Sequence, residues 1–191
     1  MPVFEGARLD EAKEIVGRYP EGRERSAIMP LLYLAQSVEG HVSREGLREV
    51  AGLLGLTTAE VEAVATFYTM FRLRPTGTHV VSVCTNLACM LRGAREVYEA
   101  AHEAAGMRHG QELSEDGLLT LHEEECLGVC DFAPAAQVNF ANHDRVTPEG
   151  MRELIAGLRD GSVPEPSRGP AMESFKAASR VLAGLKEAPA S

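Results

Sequence analysis

The placement of the cysteines constrains this chain more than any other feature. There are four, in two pairs: Cys84 and Cys89 in "SVCTNLACMLRGA", and Cys126 and Cys130 in "HEEECLGVCDFAPAAQVN". The spacings are C-x4-C and C-x3-C, with a helix-length segment between the pairs. Any fold proposed for the sequence has to explain why thiols arrive in twos.

The surrounding pattern supplies a frame. "HVVSVC" is a β-branched run that reads as a buried strand ending at Cys84. A helix is expected from roughly Leu87 to Ala105, with Leu87, Met90, Leu91, Ala94, Tyr98 and Ala101 along one side and Cys89 near its start. "GLLTLHE" and "AAQVNF" read as two further strands, "ANHD" as a turn, and a short fourth strand is expected near Arg145. Thr147, Pro148 and Glu149 open a last helix with a cap and a first-turn proline, and Met151, Leu154, Ile155 and Leu158 form its apolar face. A strand–helix–strand unit crosses over right-handed and brings its two strands parallel. Parallel neighbours deliver their carboxyl ends to one edge of the sheet, so both cysteine loops emerge together.

Three chemistries use four thiols gathered in this way. A tetrahedral zinc is one, although zinc pairs more often come as C-x2-C. Two disulfides are a second, disfavoured in a reducing compartment. The third is an iron–sulfur cluster, since a 2Fe–2S centre has two irons that each take two cysteines. Spacing alone leaves all three open. A thiol oxidoreductase is a poor fourth, because no C-x-x-C follows the first strand.

Upstream, residues 7 to 70 read as three or four short helices in a small antiparallel bundle. "SAIMPLLYLAQSVEG" carries Ile28, Leu31, Leu32, Ala35 and Val38 at helical spacing, and a start near Ala27 leaves Pro30 in the first turn. "SREGLREVAGLLG" follows, closed by Gly55. Thr57 caps the next helix, with Glu60 placed to reach back and Leu56 to staple onto Val61. Phe67, Tyr68 and Phe71 read as core at helical spacing.

Composition narrows the function. The formal net charge of −9, with no long basic run, argues against nucleic acid as a partner. No G-x-G-x-x-G follows a strand and no P-loop is present, so the chain is expected to bind no nucleotide itself. The longest apolar run, "IMPLLYLA", is too short to cross a bilayer, and "MPVFEGARLDEAKE" lacks the blocks of a secretory signal. A cytoplasmic location is expected.

Five stretches in order, "PLLYLAQ", "VATFYTMF", "VCTNLACMLRGA", "EDGLLTL" and "ECLGVCDFAPAAQVN", carry a resemblance from about Tyr19 to about Gly161. The chain resembles the thioredoxin-like 2Fe–2S subunit family of respiratory complex I, the NADH:quinone oxidoreductase. The same module occurs in NAD-linked hydrogenases and formate dehydrogenases. The resemblance implies an α+β/α/β chain: a small helical bundle over residues 1–72, a thioredoxin-like 2Fe–2S ferredoxin domain over 73–161, and a linker and tail over 162–191. It implies that Cys84, Cys89, Cys126 and Cys130 ligate one 2Fe–2S cluster. It further implies a flavin- and NADH-binding subunit and other iron–sulfur subunits as partners. The chain would then be a subunit of an NADH dehydrogenase without catalysis of its own, peripheral to the inner face of the membrane. The counterpart in a hydrogenase or formate dehydrogenase is the alternative, and a zinc-stabilised interaction module is the alternative of another class. The sequence departs from the family at Ala63, where a glutamate is usual, and at "FANHDRV", which replaces a tyrosine-rich acidic segment.

Smaller expectations follow. Glu123, Glu124 and Glu125 should lower the potential of a cluster that becomes more negative on reduction, with alternation keeping all three from contributing equally. Backbone N–H groups near Leu87 to Cys89 should oppose them. Gly128 permits close approach or positive φ between the second pair. Met90 reads as packing, and His122 and His143 as solvent-facing. Pro134 stands where thioredoxin-like folds often carry a cis-proline, but the low base rate of cis bonds argues for trans. The tail after Ser162 reads as mobile, with a weak amphipathic helix over residues 171–188.

Overall fold

The computed structural model describes residues 2–108 and 110–186. The chain divides into two compact units, Met1–Pro75 together with Lys176–Ser191, and Thr76–Phe175.

The first unit holds α1 (Ala7–Gly17), a single 3-10 turn (Glu24–Ala27), α2 (Ile28–Glu39), α3 (Arg44–Leu54) and α4 (Thr58–Phe67). Pro30 is the third residue of α2, inside the first turn, where its missing N–H costs nothing. Gly40 and Gly55 stop α2 and α3 in the left-handed conformation, at φ 79 and 63. The capping box at Thr57 and Glu60 forms in full. Ile15, Leu31, Leu32, Leu34, Val50, Val61 and Phe71 make the core. Of the aromatic stripe, Phe71 is buried, but Phe67 is 77% exposed and Tyr68 37%; α4 ends at Phe67, so Tyr68 leaves helical geometry and the stripe splits.

From Lys176 onward the chain belongs to this helical unit, where a free tail was expected. A helix, α8 (Phe175–Leu182), buries Ala178 and Ser179. The Gln36 amide donates to Ser179 Oγ at 3.1 Å and to the Met70 carbonyl at 3.2 Å, while its oxygen accepts from Arg72 N at 2.8 Å. The small residues Ala178 and Ser179 hid this packing from an apolar-periodicity reading. The helix expected over residues 171–188 is shorter at both ends, and positions 187 and 188 lie outside the described residues.

The second unit holds β1 (His79–Cys84), α5 (Leu87–Met90), α6 (Ala94–Ala105), β2 (Leu119–Glu124), a 3-10 turn (Cys130–Phe132), β3 (Ala136–Val138), β4 (Ala141–His143) and α7 (Pro148–Arg159). The sheet order is β2-β1-β3-β4, with β1 and β2 parallel and the other pairs antiparallel. β1 is buried along its whole length, as its apolar run requires. Val81, Val83, Leu119 and Leu121 pack with Val97 and Ala101 of α6 and with Met151, Leu154 and Ile155 of α7.

Three local expectations need correction. The helix read over Leu87–Ala105 breaks in two at Gly93, whose φ of 92 interrupts the helical geometry. "ANHD" is not a turn: its first three residues are β4, and the turn is Asn139–Phe140, one pair earlier. Both turn residues have positive φ, 50 and 71, as a two-residue hairpin that follows the sheet twist needs. The Ala133–Pro134 bond is cis.

No single helix among the described residues is long and apolar enough to cross a membrane. Taken together α3 and α4 pass a length and composition test, but they are bent by 120° at their junction.

Candidate metal centre

The parallel register puts Cys84 opposite Glu124, so β1 and β2 finish side by side. Thr85 N donates to Glu124 O at 2.9 Å and Cys84 N to Ala135 O at 3.0 Å, which ties the two strand ends to the start of β3. Beyond that edge the chain makes two short loops. The first turns through Asn86, whose side-chain oxygen accepts from Leu87 N at 2.8 Å, into α5, which carries Cys89. That bond already engages Leu87 N, one of the amides expected to serve the site. The second loop runs from Cys126 through Gly128, at φ 73, to Cys130 at the start of its 3-10 turn.

The four predicted thiols lie at this edge as two pairs. Cys126 Sγ and Cys130 Sγ lie 4.0 Å apart. Cys84 and Cys89 are near enough to interact electrostatically, and the Cys84 thiol approaches Glu125 O at 3.8 Å. Gly128 N donates to Cys126 Sγ at 3.4 Å, an N–H···S contact that the open loop geometry permits. Cys84 and Cys89 are buried with Val129, Ala133 and Ala135 around them, whereas Cys126 and Cys130 are exposed. The centre has an inner pair and an outer pair.

The electrostatics agree. Burial pushes the Cys89 thiol up to about 11, helped by the neighbouring Cys84 thiol and by the Cys130 charge. Cys130 is raised first by its hydrogen bond to Cys126, then by the Cys126 charge. Thiols crowded in this way resist ionising together until cationic metal compensates them. Among the described residues no three His, Cys, Asp or Glu side chains form a group able to hold one ion. The sulfurs lie as two pairs, Cys84 with Cys89 and Cys126 with Cys130.

Around this edge, His122 Nε2 lies 3.8 Å from Glu124 Oε1, and the Glu124 side chain is the more shielded of the two, 15% exposed. Glu123 and Glu125 are exposed, in keeping with strand alternation. His143, expected to face solvent, is buried, because β4 is a strand and turns it inward. Phe132, Arg145 and Arg168 carry no signal in the sequence that marks them as site residues. Arg145 and Arg168 place their guanidinium carbons 5.1 and 5.3 Å from the centre of the Phe132 ring. No periodicity points to that contact.

A parallel β–loop pair that offers thiols two and two is an arrangement that an iron–sulfur protein of the electron-transfer class can use. The family model for thioredoxin-like 2Fe-2S ferredoxins matches residues 12–159, and the chain belongs to that family. It is 46% identical to the E subunit of NADH-quinone oxidoreductase from Mycobacterium tuberculosis over 182 residues, 95% of this chain and 71% of that one. It is 40% identical to NADH-quinone oxidoreductase subunit 2 of Thermus thermophilus over 155 residues, 81% of this chain and 85% of that one. Among solved structures, an NAD+-reducing NiFe hydrogenase in the H2-reduced state superposes with a TM-score of 0.62 at 23% identity, over 72% of this chain and 22% of that one. That likeness is one of fold.

Proposed function

We propose that the chain is the electron-transfer subunit of an NADH:quinone oxidoreductase and holds one 2Fe–2S cluster on Cys84, Cys89, Cys126 and Cys130. The observation that carries the ligand assignment is the placement of two thiol pairs at one sheet edge. The family and the relatives from NADH-quinone oxidoreductases support the cluster and the parent complex. A cluster bound there accepts and returns one electron. The chain's residues do the rest: the thiolates hold iron, Val129, Ala133 and Ala135 exclude water from the inner pair, and Gly128 N donates to Cys126 Sγ.

The partner is the flavin- and NADH-binding subunit, placed against the cysteine loops, with further iron–sulfur subunits in the same complex. Leu87 and Leu91, 71% and 77% exposed, lie one helical turn apart on either side of buried Cys89 and support a docked subunit there. Through that complex the chain sits peripheral to the inner face of the membrane.

Protein purified without oxygen should be red-brown and hold about two irons and two acid-labile sulfides. Dithionite should give the EPR signal of a reduced 2Fe–2S centre, and each Cys→Ser variant should lose or alter it. Zinc in place of iron, or a serine variant with an unchanged signal, would refute the assignment. Leu87→Ser with Leu91→Ser should keep the iron and lose co-purification of the flavin subunit.

A further inference from the structure

We propose that Arg145 and Arg168 are positioning residues for the redox centre. Together they clamp Phe132, fix the turn that carries Cys130, and bring two guanidinium groups to a ring two residues along the chain from that thiol, from where they raise the reduction potential. This rests on the assignment of Cys126 and Cys130 as ligands.

Phe132 closes the 3-10 turn that Cys130 opens. Its ring takes both guanidinium groups within cation–π range, at 5.1 Å for Arg145 and 5.3 Å for Arg168. The two arrive by different routes. Arg145 N donates to Phe132 O at 2.8 Å and Val146 N to Pro134 O at 2.9 Å, so this segment is laced directly to the ligand loop. Arg145 also has φ 51, a conformation costly for a residue with a Cβ and one that persists only where surroundings impose it. Arg168 comes from the segment after α7, which has no motif of its own. That segment is pinned along the edge strand β4: Ser167 N donates to Asn142 O at 2.7 Å and Asp144 N to Ser167 Oγ at 2.8 Å. Arg168 is ion-paired with Asp144, and Met172 O accepts from the Asn139 amide at 3.0 Å. The strap after α7 therefore delivers one cation to the loop, and the β4–α7 corner delivers the other.

The outer thiols are the exposed ones. A bound 2Fe–2S centre gains one negative charge on reduction, so nearby cations favour the reduced form and carboxylates the oxidised form. Asp144 offsets part of the Arg168 charge through their ion pair, so Arg145 carries the larger share of the effect. Arg168 is 46% exposed, so its influence is screened by salt. That property separates charge from mere structure.

The test uses the full chain with its cluster, with iron assayed in every sample and midpoints read by EPR-monitored titration. Arg145→Gln and Arg168→Gln should each lower the midpoint, the double variant should lower it further, and the shifts should shrink in high salt. Arg145→Lys with Arg168→Lys should stay near wild type. Arg145→Gly relieves the strained backbone while removing the cation, so it should keep or gain thermal stability and still lower the midpoint. Hydrogen exchange at the Ser167 amide should accelerate several-fold in Arg168→Gln, a readout of the clamp that needs no cluster. Single Gln variants with full iron and unmoved midpoints overturn the proposal, whether or not the double variant retains its cluster. So does unchanged exchange at Ser167. A wild-type protein without iron overturns the ligand assignment and this inference with it, and the iron assay tells that failure from the others.

Discussion

Gly128 shows how narrow the tolerance is at single positions. Nothing lies within 4 Å of where a Cβ would stand, so space is no obstacle; the obstacle is φ 73. Gly128→Ala should cost about 1 kcal/mol through the left-handed conformation and weaken the N–H···S contact to Cys126. The expected result is less iron retained per chain and a lower thermal midpoint in the same sample. A second residue-scale consequence concerns protons. Burial lowers the pKa of His79, and likewise of His143 although the Asp144 charge pulls the other way. The folded state therefore refuses a proton that the unfolded chain accepts near its ordinary value of 6.5. Their contribution to stability is intact above that value and is lost progressively as pH falls from it towards the lower folded-state pKa. Thermal midpoints should drop as pH falls below about 6.5, and His79→Gln with His143→Gln should flatten the curve; an equal slope in that variant would contradict this.

Among the elements, the β3–β4 hairpin depends on one side chain. Asn139 accepts from Val80 N at 3.0 Å, donates to Met172 O at 3.0 Å and lies 3.1 Å from His79 Nδ1, all while holding φ 50. Asn139→Ala should cost about 2–4 kcal/mol, from a stranded buried amide and an alanine in the left-handed region. Asn139→Gly should recover only the backbone share, which chemical denaturation of the two variants would measure. This element was also the least legible. "AAQVNF" reads as one strand because Phe140 has a strand-former's side chain, yet Phe140 is a turn residue whose ring centre lies 5.2 Å from that of Phe175. By contrast Thr57 and Glu60 could be read directly, because a capping box is written in four adjacent residues. Cysteine spacing was legible for the same reason: each pair is local, and one parallel register joins them. The arginine clamp was not, since its partners come from separate corners with no shared period.

Over the whole molecule, chain order and spatial order part company at the end. Residues from Lys176 onward belong with the unit that opens the chain, through Gln36 and Ser179 and through the ion pair of Arg180 with Glu11. Deleting residues 176–191 should leave Gln36 short of a buried partner and lower the stability of the helical unit by about 1–3 kcal/mol, while the midpoint of the cluster stays where it was. Calorimetry and a redox titration on one preparation would check both halves. The unequal burial of the thiols has a consequence for wear. An oxidant or chelator meets Cys126 and Cys130 first, while Cys84 and Cys89 stay sheltered behind Val129 and Ala135. Decay should start at the rim and proceed inward, so a molecule caught partway would keep its deeper sulfurs reduced and ready for repair.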